Sequence, residues 1–421
     1  MYPPRCFSGR FLYHRFARQF LKIRISPGDA HLRIDYTLRM DDMEEKQKYM
    51  RRAIELAWGG MGYASPNPMV GAVIVKGGRI IGEGFHRRCG ELHAERDAFA
   101  HLTEDAAGAE MYVTLEPCCH YGKQPPCTLA VVEHGIRKVY IGSRDPNPLV
   151  SGKGAAFLRE NWIEVIEDFL REECDRLNPE FFHFISTGKP YVVMKYAMTA
   201  DGKIATKTGD SKWITGEAAR KNVHMERSRY AAILAGIGTV LADDPMLNAR
   251  IDTEETHGGF LEGYDVTLPD PVHQPVRVIA DAHLRIPMES NVVKSAREYR
   301  TIIVCAEAEE EKKRQLTEAG AEVLVLPGED GEVSLTKLME YLGENRIASV
   351  YIEGGGTIHE AAVRAGIVNR VSAYIGPKVF GGRDAKTPVE GSGFARVANS
   401  MQLRLTGLHR LGEDVWLEYE A

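Results

Sequence analysis

The sequence predicts an α/β protein made of two layered domains in succession. Short β-branched runs alternate with segments whose apolar residues recur at helical spacing, a pattern typical of a sheet covered by helices. A turn cluster rich in Gly and Pro at 187–190 separates two such patterns. The chain has 421 residues, enough for two or three domains with their own cores. We therefore expect one domain over 43–188, a second over 189–421, and an extension over 1–42.

The first pattern begins with a helix over 44–59, in which Met50 and Ile54 lie on one face. Two prolines at 66 and 68 end it, and a strand over 70–75 continues through a Gly-Gly turn into a return strand. The remaining predicted elements are strands at 111–115 and 139–141 and helices at 93–100, from 117–118 onward, at 155–161 and at 168–185.

The second pattern repeats the alternation. Its predicted strands are 191–196, 231–235, 276–280, 301–305, 322–326, 349–352 and 371–376. Its predicted helices are 216–229, 307–319, 334–343 and 357–365. A tight turn after 198 predicts one more strand near 203–205, and the Gly- and Pro-rich stretch 252–275 predicts a long loop.

The first 42 residues differ in charge from the rest of the chain. They carry eight basic and four acidic side chains, so that the remainder accounts for a net charge of −10 against a total of −6. They resemble an organellar transit peptide superficially, but we favour an upstream extension that is disordered or not native. Because no apolar run could span a bilayer and seven cysteines suit a reducing compartment, we expect a cytoplasmic protein.

The strongest chemical signal is a His-x-Glu motif followed by two separated cysteines. His93, Cys118 and Cys127 would bind one Zn²⁺ and leave a fourth position open for water. Glu95 would take a proton from that water and deliver one to leaving ammonia, as in zinc deaminases. A closed structural zinc site would need Cys119 or His120 as fourth ligand. Cys119 either competes for the metal or is a buried bystander.

The cysteine spacing points to a particular family. The segment 117–127 reads Pro-Cys-Cys-His-Tyr-Gly-Lys-Gln-Pro-Pro-Cys, and the loop 65–71 reads Ser-Pro-Asn-Pro-Met-Val-Gly. Both resemble the deaminase half of the bifunctional deaminase–reductase family of riboflavin biosynthesis. The resemblance implies a cytidine-deaminase-like α/β/α domain in which Asn67 binds the pyrimidine and His86 and Lys123 contact the ribose phosphate.

The second domain resembles the reductase half of the same family, over the segments 198–205, 209–215, 236–245 and 350–357. The resemblance implies a dihydrofolate-reductase-like α/β fold that binds NADPH. The implied NADPH contacts are Ala197, Trp213, Thr239, Asp243, Gly355, Gly356, Thr357, Ile358, His359, Glu360 and Ala361. The implied substrate contacts are Ser211, Arg227, Leu247, Arg250 and Glu353, of which the two arginines suit a phosphate.

The resemblance implies one phosphorylated pyrimidine for both halves, first deaminated and then reduced at its ribosyl chain. We expect a homo-oligomer with neither nucleic-acid nor membrane partners. Two other readings remain, a nucleoside or tRNA deaminase with an unrelated tail and a structural zinc module. The acidic body argues against nucleic acid, and Glu95 argues against a purely structural site.

Overall fold

The described residues of the computed structural model are 31–122, 124–148, 150–251 and 266–421. Side chains are described from residue 43 onward, with Asp330 excepted. Packing divides the chain into a short unit up to Lys48 and a compact unit from Tyr49 to the carboxyl terminus. Helix α1 (His31–Ala57) starts earlier than the predicted residue 44. The proposed extension over 1–42 lies mostly outside the described residues, and its character stays a prediction.

A mixed sheet forms the centre of the first domain. Its strands are β1 (Gly71–Lys76), β2 (Arg79–Phe85), β3 (Glu110–Leu115), β4 (Lys138–Ser143) and β5 (Glu164–Ile166). They lie in the order β2-β1-β3-β4-β5, with β3, β4 and β5 parallel and β1 antiparallel to both neighbours. Successive side chains serve opposite faces, so Ala72 and Ile74 belong to one core and Val73 and Val75 to the other.

Helices cover both faces of this sheet. They are α2 (Ala94–Ala100), α3 (Cys127–Glu133), α4 (Lys153–Glu160), α5 (Arg171–Asp175) and α6 (Pro179–Thr187). Residues of α2, α3 and α4 share one core with the sheet, while the end of α1 from Met50 onward and Cys174 of α5 share the other. The predicted α/β/α layering is therefore confirmed.

Two helix predictions in this domain are wrong, both because of proline. The helix predicted from 117–118 begins only at Cys127, because the preceding Pro125-Pro126 pair cannot sit within a helix. The single helix predicted over 168–185 is two helices, and Pro179 occupies the first turn of the second one.

The second domain is built on a nine-stranded sheet. Its strands are β6 (Tyr191–Thr199), β7 (Ala232–Gly236), β8 (Val276–Ala280), β9 (Thr301–Cys305), β10 (Glu322–Val325), β11 (Ser349–Gly354), β12 (Arg370–Gly376), β13 (Arg404–Leu411) and β14 (Asp414–Glu420). Their order is β10-β9-β8-β7-β11-β6-β12-β14-β13. Neighbouring strands from β10 to β12 are parallel, β14 is antiparallel to β12, and β13 is antiparallel to β14. All seven predicted strands are present. The strand predicted near 203–205 is wrong, because those residues form turns and bends after β6.

Within the described residues, six helices accompany this sheet. They are α7 (Glu217–Arg229), α8 (Ile237–Asp243), α9 (Asn291–Lys294), α10 (Glu310–Ala319), α11 (Leu335–Glu344) and α12 (Gly356–Arg364). Residues of α11 and α12 pack on one face and those of α8, α9 and α10 on the other. The carboxyl ends of the central strands β7, β11 and β6 lie on the same side of the sheet. Open parallel sheets bind their ligands at the carboxyl ends of their strands.

Helix α7 also contacts the first domain. Met225 lies in the same core cluster as Trp58, and the Arg229 guanidinium donates to the Glu180 carboxylate at 2.8 Å. Both charged side chains are nearly buried, at 9% and 13% exposure. The predicted domain boundary at 188/189 falls between α6 and β6 and stays a prediction. None of the helices in the described part of the chain has the length and apolarity to cross a membrane.

Candidate active sites

Three predicted zinc ligands meet at the start of two helices. His93 is the residue before α2, Cys127 opens α3, and Cys118 lies in the loop after β3. The His93 Nδ1 atom lies 3.5 Å from the Cys118 Sγ and 3.4 Å from the Cys127 Sγ. Ligand atoms that lie about 2.0–2.3 Å from one tetrahedral ion are separated from each other by about these distances. The set therefore fits zinc and leaves a fourth position for water.

The loop that carries Cys118 is held by close packing against α4. The Glu116 carboxylate accepts the backbone N–H groups of Gly152 at 3.0 Å and Ala155 at 3.1 Å. A Cβ at Gly154 would lie only 2.2 Å from the Pro117 carbonyl oxygen, so the loop can approach only because this residue is glycine. Cys119 is partly exposed and is not among the three ligand atoms that lie within 4.8 Å of one another.

Glu95 lies in the first turn of α2, two residues after the His93 ligand. Its side chain is 4% exposed, and burial raises the pKa of its carboxyl. A raised pKa suits a group that both takes and gives a proton near neutrality. Hydrogen bonds from Cys127 and His93 hold the pKa of the Cys118 thiol at about 4, which favours the thiolate that binds metal.

Asn67 and His86 lie together beside the zinc ligands. The His86 Nδ1–H donates to the Leu92 carbonyl at 2.9 Å, so its Nε2 can accept from the Asn67 amide at 3.2 Å. Burial lowers the pKa of His86, and its ring lies edge-on to that of His93 at 5.5 Å. A neutral buried imidazole suits the positioning of Asn67 better than contact with a phosphate. Lys123 lies outside the described residues.

Asp145 is a further candidate active-site residue, which was not predicted from the sequence. It is 7% exposed, and burial raises its pKa to about 6, with further contributions from Glu116 and Cys118. It belongs to an Asp-Pro-Asn-Pro turn at 145–148 just after β4, which parallels the Ser-Pro-Asn-Pro turn at 65–68. This second Pro-Asn-Pro motif could have indicated Asp145 from the sequence.

In the second domain, Glu353 and Arg227 form a buried ion pair at the end of β11. The Arg227 Nε and Nη2 atoms donate to the two Glu353 carboxylate oxygens at 2.5 and 2.6 Å. Burial opposes ionisation of Glu353, but the attraction of Arg227 prevails and lowers its pKa. Lys195 on β6 was also missed. Burial lowers its pKa, and it interacts electrostatically with both partners. A lysine within the otherwise apolar stretch 191–198 could have indicated this residue from the sequence.

The loop after α8 brings the other predicted phosphate ligand to this pair. Asn248 joins the two arginines, because its carbonyl accepts from Arg227 at 3.0 Å and its side-chain oxygen from Arg250 at 2.6 Å. Leu247 has φ +50° and a side chain that is 1% exposed in the core. Any contact of Leu247 with substrate would therefore use its backbone.

The predicted NADPH turn is a glycine cradle between β11 and α12. Gly354 has φ +121°, and a Cβ at Gly356 would lie 2.5 Å from the Glu390 side chain. A Cβ at Gly355 would point toward the Thr239 hydroxyl at 3.8 Å. Such a glycine turn at a helix N-terminus fits the phosphates of a dinucleotide.

The rest of the predicted turn is less open. Thr357 is exposed and Ala361 partly buried, whereas Ile358 lies in the core. Burial lowers the pKa of His359, whose Nδ1–H donates to the Pro388 carbonyl at 2.7 Å. Glu360 is paired with Arg364 within α12.

The remaining predicted contacts lie on β6, near the end of α8 and in the segment before α7. Ala197 lies on β6, where it packs near Tyr374. The Ser211 hydroxyl lies 3.5 Å from the Asp243 carboxylate at the end of α8. Trp213 is 61% exposed, and the Arg220 guanidinium covers its ring at 4.5 Å. Because Trp213 is exposed, it is not a core residue, and its indole ring can stack on a ligand.

Comparisons with known proteins match two parts of the chain to two different family models. Residues 43–143 match the cytidine and deoxycytidylate deaminase zinc-binding region, and residues 190–417 match the RibD C-terminal domain. The riboflavin biosynthesis protein RibD of Actinobacillus pleuropneumoniae is 49% identical over 371 residues, 88% of this chain and 94% of that protein. The Escherichia coli (strain K12) RibD is 36% identical over 375 residues, 89% of this chain and 98% of that protein.

Solved structures give the same result over nearly the whole chain. Acinetobacter baumannii RibD (form 1) is 36% identical with a TM-score of 0.76, covering 90% of this chain and 99% of that one. A Thermotoga maritima structure, described as a diaminohydroxyphosphoribosylaminopyrimidine deaminase/5-amino-6-(5-phosphoribosylamino)uracil reductase, is also 36% identical. Its TM-score is 0.77, with the same coverage of both chains.

The fold and the two sites define a zinc-dependent deaminase fused to an NADPH-dependent reductase. The chain belongs to the RibD family, the bifunctional enzymes of riboflavin biosynthesis. Its cofactors are zinc in the first domain and NADPH in the second.

Proposed function

We propose that the first domain hydrolyses the 2-amino group of 2,5-diamino-6-ribosylamino-4(3H)-pyrimidinone 5′-phosphate. The second domain then reduces the ribosyl chain with NADPH and gives 5-amino-6-ribitylamino-uracil 5′-phosphate. The observation that carries the proposal is the buried Glu95 carboxyl beside the open His93, Cys118 and Cys127 set. The two activities named for the Thermotoga maritima structure support the same pair of reactions.

In the deamination, water adds to the ring carbon that bears the amino group and ammonia leaves. Zinc, when bound, lowers the pKa of water to about 7 and so makes hydroxide available near neutrality. Glu95 accepts the proton that this water loses and delivers it to the departing nitrogen. In this proposal Asn67, held by His86, binds the polar edge of the ring, and the buried Asp145 accepts a hydrogen bond from the ring. Lys123 stays a predicted phosphate contact.

In the reduction, a hydride and a proton add across the C1–N bond of the opened ribosyl imine. NADPH, when bound in the 354–357 cradle, supplies the hydride to C1. We propose Lys195 as the proton donor; burial lowers its pKa, and it interacts electrostatically with Glu353. Arg227 donates one hydrogen bond to each carboxylate oxygen of Glu353. The remaining lone pairs of these oxygens can accept hydrogen bonds that orient the substrate.

The predicted homo-oligomer is part of this proposal, as is a cytoplasmic location. Strand β13 lies at the edge of the sheet and exposes Leu405 and Leu408, while Phe394 and Val397 are exposed in the preceding segment. Exposed apolar side chains on an edge strand favour packing against another chain, so a second copy of this chain is the expected partner there.

Removal of zinc tests the division of labour between the domains. Dialysis of the full-length enzyme against a chelator is expected to abolish ammonia release from the diaminopyrimidine phosphate. It should leave NADPH oxidation on the deaminated phosphate within about twofold, because zinc serves only the first domain. Adding Zn²⁺ back should restore ammonia release. Ammonia production at the original rate by zinc-free protein would contradict the proposal.

A further inference from the structure

We propose that Asn178 is a positioning residue of the deaminase, which holds the loop 65–71 in the conformation that presents Asn67 to the pyrimidine. This inference rests on the proposed function, because it takes Asn67 to be a substrate contact. Asn178 lies in the short connection between α5 and α6, and its side chain is 3% exposed.

The Asn178 amide pairs with both backbone groups of Met69. Its Oδ1 accepts from the Met69 N–H at 2.7 Å, and its Nδ2 donates to the Met69 carbonyl at 2.8 Å. A backbone N–H can only donate and a carbonyl can only accept, so the two bonds fix the orientation of the amide. Both bonds are buried, where backbone groups need such partners. The pair therefore ties the loop 65–71 to a segment that is remote in sequence.

The position of Asn178 at the start of α6 leaves its side chain available for this pairing. It is the residue before the helix, where an asparagine side chain commonly caps the first backbone N–H groups. Within the described residues, the Asn178 side chain makes no capping hydrogen bond to α6. Pro179 is the first helical residue and has no N–H group, so one fewer donor there needs a cap. The Asn178 amide thus serves the loop and not the helix.

The loop itself depends on such an external partner. Pro66 and Pro68 have no N–H group to donate, and their rings restrict the backbone on both sides of Asn67. Before the second proline, the Asn67 N–H donates to the Ala64 carbonyl at 2.9 Å. After it, Met69 is held by the amide pair. Because Pro68 makes the connection stiff, the place of Met69 determines the direction of the Asn67 side chain.

The direction of the Asn67 amide decides what it can bind. Its Nδ2 lies 3.2 Å from the His86 Nε2, which uses one of its two N–H bonds. The Oδ1 atom and the second N–H bond remain for the polar edge of a pyrimidine. A displaced Met69 would turn these groups away from the ring. Asn178 therefore acts on deamination through Asn67 and is not one of the three zinc ligands.

A double-mutant cycle in the full-length zinc enzyme separates this role from plain stabilisation. Asn178→Ala removes both hydrogen bonds to Met69, and Asn67→Ala removes the side chain that they position. Each substitution should raise the KM of ammonia release for the diaminopyrimidine phosphate about three- to tenfold, with kcat within about threefold. Because Asn178 acts through Asn67, the double variant should have the KM of Asn67→Ala alone. Two effects that multiply in the double variant would overturn the proposal.

Leu177→Ala is the matched control. Leu177 adjoins Asn178 and is 1% exposed in the same core cluster as Met69, but the substitution leaves both amide hydrogen bonds in place. It should lower the thermal midpoint of unfolding and leave the KM of ammonia release unchanged. An equal rise of KM in Leu177→Ala and Asn178→Ala would mean that Asn178 acts through stability and would overturn the proposal.

Three further measurements complete the test. Asn178→Ala should keep the zinc content of the parent enzyme and its NADPH oxidation on the deaminated phosphate, and loss of either together with ammonia release would overturn the proposal. If Asn178→Ala does not fold, Asn178→Ser enters the same cycle, because its hydroxyl is too short to reach both backbone groups of Met69. The expected and contradicting outcomes are then the same.

Asn67→Ala distinguishes failure of this inference from failure of the proposed function. If Asn67→Ala raises the KM and the substitution at Asn178 does not, the loop binds the substrate and Asn178 does not position it. If neither substitution changes the KM, Asn67 does not bind the pyrimidine, and the proposed substrate contact fails together with this inference.

Discussion

The Glu95→Gln enzyme is expected to lose about 10²–10⁴-fold in the rate of ammonia release, the range that general acid–base catalysis supplies. Glutamine has nearly the same shape as glutamate but can neither accept the proton of the attacking water nor return it to the leaving nitrogen. Because Glu95 is buried and its pKa is raised, an uncharged replacement should be tolerated by the fold. The measurement is ammonia release from the diaminopyrimidine phosphate under saturating substrate.

Two properties of the same variant serve as controls. Its zinc content should equal that of the parent enzyme, because the three ligand atoms belong to His93, Cys118 and Cys127. Its NADPH oxidation on the deaminated phosphate should also be unchanged, since that reaction uses the other sheet. Ammonia release near the parent rate with zinc fully bound would show that a different group moves the proton.

Glu353→Gln is expected to abolish most reductase activity and to lower the thermal midpoint of unfolding. The substitution leaves the Arg227 guanidinium buried without a counter-charge, which typically costs about 3–5 kcal/mol. In the site, Glu353 also interacts electrostatically with both Arg227 and Lys195, and displacing such groups by about 1 Å can cost about 100-fold in rate. We therefore expect at least about a 100-fold loss in kcat for NADPH oxidation.

Glu180→Gln is the matched control for this prediction. The Glu180–Arg229 pair is as buried as the Glu353–Arg227 pair, but it joins α6 to α7 away from the end of β11. Glu180→Gln should lower the thermal midpoint to a similar degree and leave kcat within a few-fold. Equal losses of kcat in both variants would mean that Glu353 acts only through stability.

Most of the fold was predictable because its elements are locally encoded. The seven parallel strands of the second domain are β-branched runs between turn residues, and each is present close to its predicted bounds. The hairpin β13–β14 was not predicted, because its strands carry many polar residues and have one exposed side. The helix predicted from 117–118 was wrong, since the helix begins only at Cys127. The preceding residues form the loop that brings Cys118 to the other two ligands, and this requirement becomes visible only in three dimensions.

The zinc site was predictable because its chemistry is carried by spacing along the chain. The reductase site was predictable only through family resemblance, since its charged groups come from β6, α7, β11 and the loop after α8. Sequence alone could not show that Arg227 is committed to Glu353 or that the partly buried Lys195 interacts electrostatically with both. Those facts follow from burial and tertiary contact, and they decide which side chains remain available to a ligand.

The most direct test of a bifunctional enzyme is to follow both products in one sample of the full-length protein. The diaminopyrimidine phosphate is incubated without NADPH, ammonia is measured, and NADPH is then added while its oxidation is recorded. We expect stoichiometric ammonia release in the absence of NADPH, followed by oxidation of one NADPH per deaminated molecule. NADPH oxidation on the diaminopyrimidine phosphate without any release of ammonia would contradict the proposed order and the proposed role of the zinc site.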